Sequence, residues 1–343
     1  MKPLLNTLFV TTPGSYLAQE GESICIRHEG EIKLRIPIHT LTGIVCFGQV
    51  SSSPYAMRLA VESGVGMSFL TENGRFLARV QGPVSGNVLL RHRQYAAFCS
   101  EPATLGIARA LVLAKIANSR SSLLRAARER EEGPPKEAIS AVCLRLSRIA
   151  EDAASATSLD ALRGFEGYAA SSYFGVFDYL ITSREDGFEF AGRSRRPPLD
   201  NTNALLSFTY TLLTHDLVSA LESVGLDPAS GYLHTLRPGR PSLALDLVEE
   251  LRPVLADRLV LSLINRRQVS SSGFRRTETA GIEMDEATRK EVLVAWQKRK
   301  AEELTHPFLK ERMPFGLLPF VQALLLARHL RGDLDAYPAF FWR

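Results

Sequence analysis

The chain has 343 residues, 45% of them hydrophobic and 23% charged, with a formal net charge of +4. This is ordinary globular composition, which excludes extended disorder for most of the chain, and the length suits two domains better than one core. The small positive excess permits a nucleic-acid partner without arguing for one, so the distribution of charge has to carry that argument.

The first 80 or so residues read as β structure. Leu5 to Thr11 is apolar and β-branched. Ser23 to His28 and Glu31 to Ile36 alternate polar and apolar residues around His28-Glu29-Gly30, a hairpin signal, and Thr42 to Phe47 continues the pattern. Ser53 before Pro54 predicts a capped helix over Tyr55 to Glu62. Met67 to Leu70 and Arg75 to Val80 flank Asn73-Gly74, a two-strand turn. After Gly82-Pro83 the period becomes helical: 88–98, 105–130, 136–152, 159–181, 203–224, 242–264, 285–304 and 315–330. The expected architecture is α+β: a small N-terminal β domain with one inserted helix, residues 1–82, and a larger all-α C-terminal domain, residues 83–343.

Cys25, Cys46, Cys99 and Cys143 form no CxxC pair and read as thiols of a reducing compartment. The N-terminus reads as a strand rather than a signal peptide, and the apolar run 316–327 is too short to span a bilayer. The expectation is a cytoplasmic protein with no membrane partner.

Basic residues are unevenly spread. Between Arg109 and Arg130 lie six of them and a single acid, Glu129. Arg193, Arg195 and Arg196 form a second cluster, and Arg266, Arg267, Arg275 and Arg276 a third. Arginine forks suit phosphate oxygens, so these clusters would hold a nucleic-acid backbone rather than read bases; a solvated helix face explains each of them equally well in isolation.

Candidate chemistry lies in three segments. Glu166, between Gly164 and Gly167, falls at the edge of an apolar helix stripe, where a carboxylate is costly unless paired or metal-bound. The two glycines would let a ligand or another backbone approach. His234 follows the Asp227-Pro228 turn and precedes Arg237-Pro238-Gly239-Arg240-Pro241-Ser242, with Ser242 placed as the cap of the next helix. On that helix Asp246, Glu249 and Glu250 are expected to form one acidic face, and Pro253 to bend the helix near Glu249. One imidazole with two or more carboxylates makes a mixed O/N donor set suited to Mg²⁺ or Mn²⁺ and to metal-assisted phosphodiester chemistry.

Longer motifs run through the same segments. They are Ser85 to Arg91 with Gln94-Tyr95; Gly164-Phe165-Glu166-Gly167 with Tyr173-Phe174; Arg196-Pro197-Pro198; and Asn203 to Phe208 with Tyr210. They continue through Gly225-Leu226-Asp227-Pro228, Gly231-Tyr232-Leu233-His234, Gly239 to Glu250, Gln322 to Arg328 and Arg331 to Pro338. In this order they closely resemble the CRISPR-associated adaptation endonuclease/integrase family, that of the first numbered CRISPR-associated protein, and specifically its type I-C subgroup. The resemblance implies a metal held by Glu166, His234 and an acid on the helix after the Gly-Arg-Pro-Ser turn. Many relatives carry two aspartates three apart there; this chain has Asp246 and Glu249. Glu249 is assigned as third ligand and Asp246 as an auxiliary catalytic acid, near the metal or orienting a ligand.

The resemblance further implies that the β domains pair into a homodimer and that two dimers bridge a dimer of the second numbered CRISPR-associated protein. The implied reaction joins the 3′-hydroxyl of prespacer DNA to the repeat by transesterification, with nuclease activity at the same site. Arg193, Arg195, Arg196 and Arg240 are expected to grip DNA phosphates near the metal, with Tyr210 close to it. The competing expectations are a metal nuclease unrelated to adaptation and a catalytically inactive DNA-binding scaffold.

Overall fold

The alternating apolar residues of the first 80 positions fold into two four-stranded sheets in the computed structural model, which describes residues 6–72, 76–82, 88–183, 187–278 and 280–342. The elements are β1 (Thr7–Val10), β2 (Tyr16–Glu20), β3 (Ser23–His28), β4 (Glu31–Pro37), β5 (Gly43–Phe47), β6 (Ser51–Ser52), α1 (Pro54–Glu62), β7 (Gly66–Leu70) and β8 (Phe76–Val80). One sheet runs β1-β5-β7-β8, parallel except for β8; the other runs β4-β3-β2-β6, with only β6 parallel to its neighbour. Val10, Leu17, Ile24, Ile44 and Met67 pack with Leu59 and Ala60 of α1 into one core. The β3–β4 turn has positive φ at both Glu29 (53°) and Gly30 (82°), the two-residue geometry that matches strand twist. Ser53 caps α1 as expected, its hydroxyl accepting from the Ala56 amide at 3.1 Å. The Asn73-Gly74 turn and the junction at residues 83–87 lie outside the described residues.

The helical part comprises α2 (Val88–Cys99), α3 (Glu101–Arg128), α4 (Pro134–Ala154), α5 (Leu159–Phe174), α6 (Asn201–Ser223), α7 (Ser242–Arg252), α8 (Arg258–Asn265), then β9 (Phe274–Arg276), β10 (Ile282–Met284), α9 (Glu286–Ala301), β11 (Glu303–Thr305), β12 (Arg312–Pro314) and α10 (Leu318–Arg331). The short antiparallel hairpins β9–β10 and β11–β12 make this region mainly rather than wholly helical. The helix expected to reach residue 181 stops at Phe174, where Gly175 lowers the gain from continuing, and Asp178–Leu180 form a single tighter turn. The helix expected over 242–264 is two helices. Pro253 cannot donate to the Glu249 carbonyl, and Pro253–Asp257 widen into a π turn between α7 and α8. Ser242 is the first residue of α7, not its cap; Pro241 holds the cap position. By length and composition α6 is apolar enough to cross a membrane. In this fold its Leu205, Leu206, Phe208, Leu212 and Leu213 are buried where it meets α7, α8 and α10.

The sheets meet the helices along a packed seam. Val45, Phe47 and Leu70 belong to the helical core, and the rings of Phe47 and Phe208 lie 5.9 Å apart. Lys300 of α9 donates to Asp216 of α6 at 2.9 Å and to the Thr7 hydroxyl of β1 at 3.4 Å. Burial alone would raise the Asp216 carboxyl, but the ammonium of Lys300 and the neighbouring His215 hold it below the ordinary range. At the other end of α7, Glu250 is buried against the C-terminal segment. It accepts from the Tyr337 hydroxyl at 2.5 Å, the Phe340 amide at 2.6 Å and the Gln322 side chain at 3.2 Å. Burial still pushes it up to about 7. Asn118 of α3 ties the same segment down, donating to the carbonyls of Glu250 and Phe340.

Two stability predictions follow from these buried acids. Lys300→Met strands Asp216 and should cost about 3–5 kcal/mol in urea unfolding at pH 7. Because Asp216 is depressed, the wild-type advantage should be present above the ordinary carboxylate pKa and be lost as pH falls through the lowered pKa of the folded state. Glu250 has the opposite sign: a carboxyl raised on folding stabilises below its ordinary pKa and loses that contribution as pH rises through about 7. Glu250→Gln should therefore come nearest to wild type below the ordinary glutamate pKa, near pH 4, and exceed it in melting temperature at pH 8; an unchanged pH profile would contradict the assignment.

Candidate active site

α7 and the loop before it are built around one buried acid. Asp246 is fully buried and accepts from the backbone amides of Tyr232 (2.6 Å), Leu233 (3.0 Å) and His234 (2.9 Å). Its Oδ1 also lies 2.6 Å from Nδ1 of His234. The loop comes this close because residue 231 is glycine: a Cβ there would stand 2.7 Å from Asp246 Oδ2 and from the backbone of Ser242. With four contacts that all need an acceptor, the Asp246 carboxylate assigns the His234 tautomer, proton on Nδ1 and lone pair on Nε2. Nε2 faces Glu249, 4.0 Å from its Oε1.

Glu249 sits one turn further along α7 and is nearly as buried as Asp246. Lys115 of α3 reaches its Oε2 at 2.6 Å, and the same ammonium contacts Glu166 Oε1 on α5. Arg252, one turn on, lies 3.3 Å from Glu249 Oε2. Lys115 donates a hydrogen bond to Glu166 Oε1 and Arg252 Nη1 one to Glu249 Oε1 at 3.4 Å, whereas the contacts to Glu249 Oε2 are charge contacts without an aligned hydrogen-bond donor. Burial pushes the Glu249 carboxyl up, but Arg252, Lys115 and His234 outweigh it and hold the group ionised, down to about 2. Glu166 and His234 are the partly exposed members, so the cluster opens to solvent on their side.

Behind Arg252 lies a second buried group. Asp257, in the π turn, accepts from the hydroxyls of Tyr210 (2.5 Å) and Tyr173 (3.1 Å). Arg252 and Arg193 stand over the Tyr210 ring at 5.6 and 5.3 Å. Burial, then the Asp257 charge, pushes both tyrosines well above their ordinary range, so they remain hydrogen-bond donors. Tyr210 thus joins the site through Arg252.

The residues singled out from sequence separate into three groups. Glu166 and Glu249 meet at Lys115, His234 faces Glu249, and Asp246 lies behind His234. The single acidic face expected on α7 does not exist, because each acid has a different partner: Asp246 the loop, Glu249 the cations, Glu250 the C-terminal segment. Among the arginines, Arg193 turns inward to Asn203 (2.6 Å) and Ser207 (3.1 Å). Arg195 and Arg196 are exposed. Arg240 is half-buried, and its pKa is lowered first by burial and then by the nearby charges of Arg237 and Arg196. Gly164 and Gly167 face open space, so among the described residues no other segment fills the room beside Glu166.

Lys115 and Arg252 were not singled out as site residues. Lys115 was counted with the basic stretch 109–130, yet it sits on the apolar stripe of α3 with Leu111, Val112 and Ile116, all buried. That stripe was the available signal. Two neighbours in the stretch are also internal: Arg109 donates to the Ala156 carbonyl and Arg120 to that of Cys143. Away from the cluster, a cleft of about 820 Å³ is lined by Arg125, Arg258, Arg266, Lys298, Arg299 and Lys310. Of its lining residues, Arg125 lies ten residues, about 15 Å, along α3 from Lys115, and the Trp342 amide donates to Asn118 of the same helix at 2.7 Å.

Two carboxylates and one imidazole with a directed lone pair are the donors a hard-to-intermediate divalent cation takes. The unaligned Oε2 of Glu249 and the open side at Glu166 and His234 fit such an ion. The spacing is loose, however. Cis ligands about 2.1 Å from Mg²⁺ stand roughly 3 Å apart, whereas His234 Nε2 and Glu249 Oε1 are 4.0 Å apart. Among the described residues no three His, Cys, Asp or Glu side chains are close enough as they stand to hold a metal.

Comparison with known proteins bears on this geometry. The family described as CRISPR associated protein Cas1 matches residues 8–298. The CRISPR-associated endonuclease Cas1 1 of Chlorobaculum tepidum is 53% identical over the full length of both chains. Two solved structures share the fold at lower identity. A casposase bound to integration product is 23% identical with a TM-score of 0.83, over 98% of this chain and 94% of that one. A Cas6-RT-Cas1–Cas2 complex is 22% identical with a TM-score of 0.82, over 98% of this chain and 36% of that one. With a family match across most of its length and a full-length relative above half identity, the chain belongs to the Cas1 family.

Proposed function

We propose that this chain is a divalent-metal-dependent DNA endonuclease and integrase of CRISPR spacer acquisition. The observation that carries the reading is the convergence of Glu166, His234 and Glu249, from three separate segments, on one partly open, charge-compensated point. The names of its relatives support it: an endonuclease at 53% identity, and a structural neighbour bound to an integration product. In this reading Glu166, His234 and Glu249 are the ligands and Asp246 is a positioning residue. A Mg²⁺ or Mn²⁺ ion, when bound, would polarise the phosphoryl oxygen and favour ionisation of the attacking hydroxyl.

The chain's own residues do the rest. Asp246 fixes the imidazole so that Nε2, not Nδ1, faces the donor set. Arg252 keeps Glu249 ionised in a buried setting, and Asp257 with Tyr210 keeps Arg252 in place. Arg195, Arg196 and Arg240 supply positive charge beside the His234 loop, where a phosphodiester backbone would relieve the mutual repulsion of Arg196, Arg237 and Arg240. Gly164 and Gly167 leave the Glu166 side clear for a bulky substrate. The reaction joins a prespacer 3′-oxygen to a repeat phosphorus as the repeat's own 3′-oxygen leaves and takes up a proton; with water as nucleophile the same site cuts DNA.

Partners follow from the same reading. DNA, both prespacer and repeat, is the substrate, and a Cas2 protein is the assembly partner, a pairing supported by the Cas1–Cas2 complex among the structural neighbours. The β domain, residues 1–82, is the proposed dimerisation unit and residues 83–343 the catalytic one. Edge strands β4 and β8 expose Ile32, Leu34, Phe76 and Leu77, apolar surface that a second copy would cover. The setting is the cytoplasm.

The test is strand transfer in vitro: purified chain, Cas2 partner, prespacer, repeat-bearing plasmid and Mn²⁺. Glu166→Gln, His234→Ala and Glu249→Gln should each abolish both joining and cutting. Asp246→Asn should lower them by roughly 10–100-fold while leaving DNA affinity unchanged, as expected of a group acting through a ligand. Full activity in any of the three ligand variants would remove that residue from the proposed site.

A further inference from the structure

Lys115 bridges the two carboxylates of the donor set. Its ammonium touches Glu166 and lies 2.6 Å from Glu249, the two carboxylates assigned to the metal, while His234 Nε2 faces Glu249 from the other side at 4.0 Å. Lys115 is itself almost completely buried, on a stretch of α3 whose neighbours Ala114 and Ile116 are core residues. A buried lysine is stable only when paired, and the buried carboxylate of Glu249 needs a cation just as much. Each therefore stabilises the other.

We propose that Lys115 is a resident counter-ion: it holds the carboxylates together in the metal-free protein, and a divalent cation must displace it to bind. This rests on the metal reading given above. Three observations support displacement rather than coexistence. The ammonium takes up Glu249 Oε2 and Glu166 Oε1, oxygens a metal would need. Among the described residues no three donors stand close enough to hold a metal, and the ammonium lies 2.6 Å from Glu249 Oε2, farther than a bond of about 2.1 Å would bring an ion. Two like charges sharing the same oxygens repel strongly in a buried setting. Lys115 is suited to leaving because its charge sits at the end of a flexible four-carbon stem, whereas Arg252 is a planar fork stacked on Tyr210. Arg252 stays with Glu249 in both states; Lys115 exchanges. The cluster is thereby assembled before any metal arrives, and metal affinity is set by the difference between two cations rather than by the ligands alone.

The experiment measures Mn²⁺ binding and melting temperature without DNA. In wild type, Mn²⁺ should bind in competition with the lysine. In Lys115→Met, Mn²⁺ should bind at least 10-fold more tightly, and the variant should melt lower than wild type in EDTA with a larger rise on adding Mn²⁺. Equal or weaker Mn²⁺ binding by a folded Lys115→Met overturns the counter-ion role and leaves the metal site standing. No Mn²⁺ binding by either protein overturns both. Should the variant fail to fold, a crystal structure of the wild type soaked in Mn²⁺ decides. An anomalous peak among Glu166, His234 and Glu249 with the Lys115 ammonium out of contact with one or both carboxylates supports the proposal. The ammonium retained on both carboxylates beside the ion refutes it.

Discussion

The site depends on one constraint: Glu249 is a charged carboxylate inside a helical core. An uncompensated charge there would neutralise or unfold its surroundings. Lys115 from α3 and Arg252 from α7 prevent this by holding it ionised. Arg252 needs its own compensation, which Asp257 and the face of Tyr210 provide, and Asp257 is in turn held by two tyrosine hydroxyls. Each buried charge is stable because of the next, so α3, α5, α6 and α7 are locked together by the same groups that would handle phosphate.

α7 shows how one helical turn serves three purposes. Asp246, Glu249 and Glu250 are close in sequence but point to different neighbourhoods. Asp246 organises the His234 loop, whose approach requires Gly231. Glu249 faces the cluster. Glu250 anchors the C-terminal segment through Tyr337, Phe340 and Gln322. Pro253 then ends the regular helix and the π turn brings Asp257 back beneath Arg252. Where a bend near Glu249 is expected from the proline, the chain forms a π turn over Pro253–Asp257, which carries Asp257.

The polar layer is also selective about arginines. Arg193 is absorbed into the scaffold by Asn203, Ser207 and Tyr210, while Arg195 and Arg196, two and three residues later, are exposed. Basic residues adjacent in sequence therefore have different roles, one supporting the site and the others available to a backbone. The same holds on α3, where Lys115 is internal and Arg125 lines the basic cleft.

Much was legible without coordinates. Alternation of period two marked the strands of the β region, the Glu29-Gly30 turn and the Ser53-Pro54 cap, because these are local preferences of backbone and side chain. Family motifs carried Glu166, His234, Asp246 and Glu249 as candidates. Sequence alone did not reveal which acid met which partner, since helical periodicity gives a face but not what packs on it. Burial of Glu250 and the position of Lys115 among the carboxylates are set by contacts between segments 50 or more residues apart, such as Lys115 with Glu166 and Glu250 with Tyr337, and the inward turn of Arg193 by side chains of the following helix α6. Sequence determined the elements and the donor chemistry; only the tertiary structure decided the charge pairing, because the cost of burying an ion is fixed by what surrounds it in space and not by its neighbours along the chain.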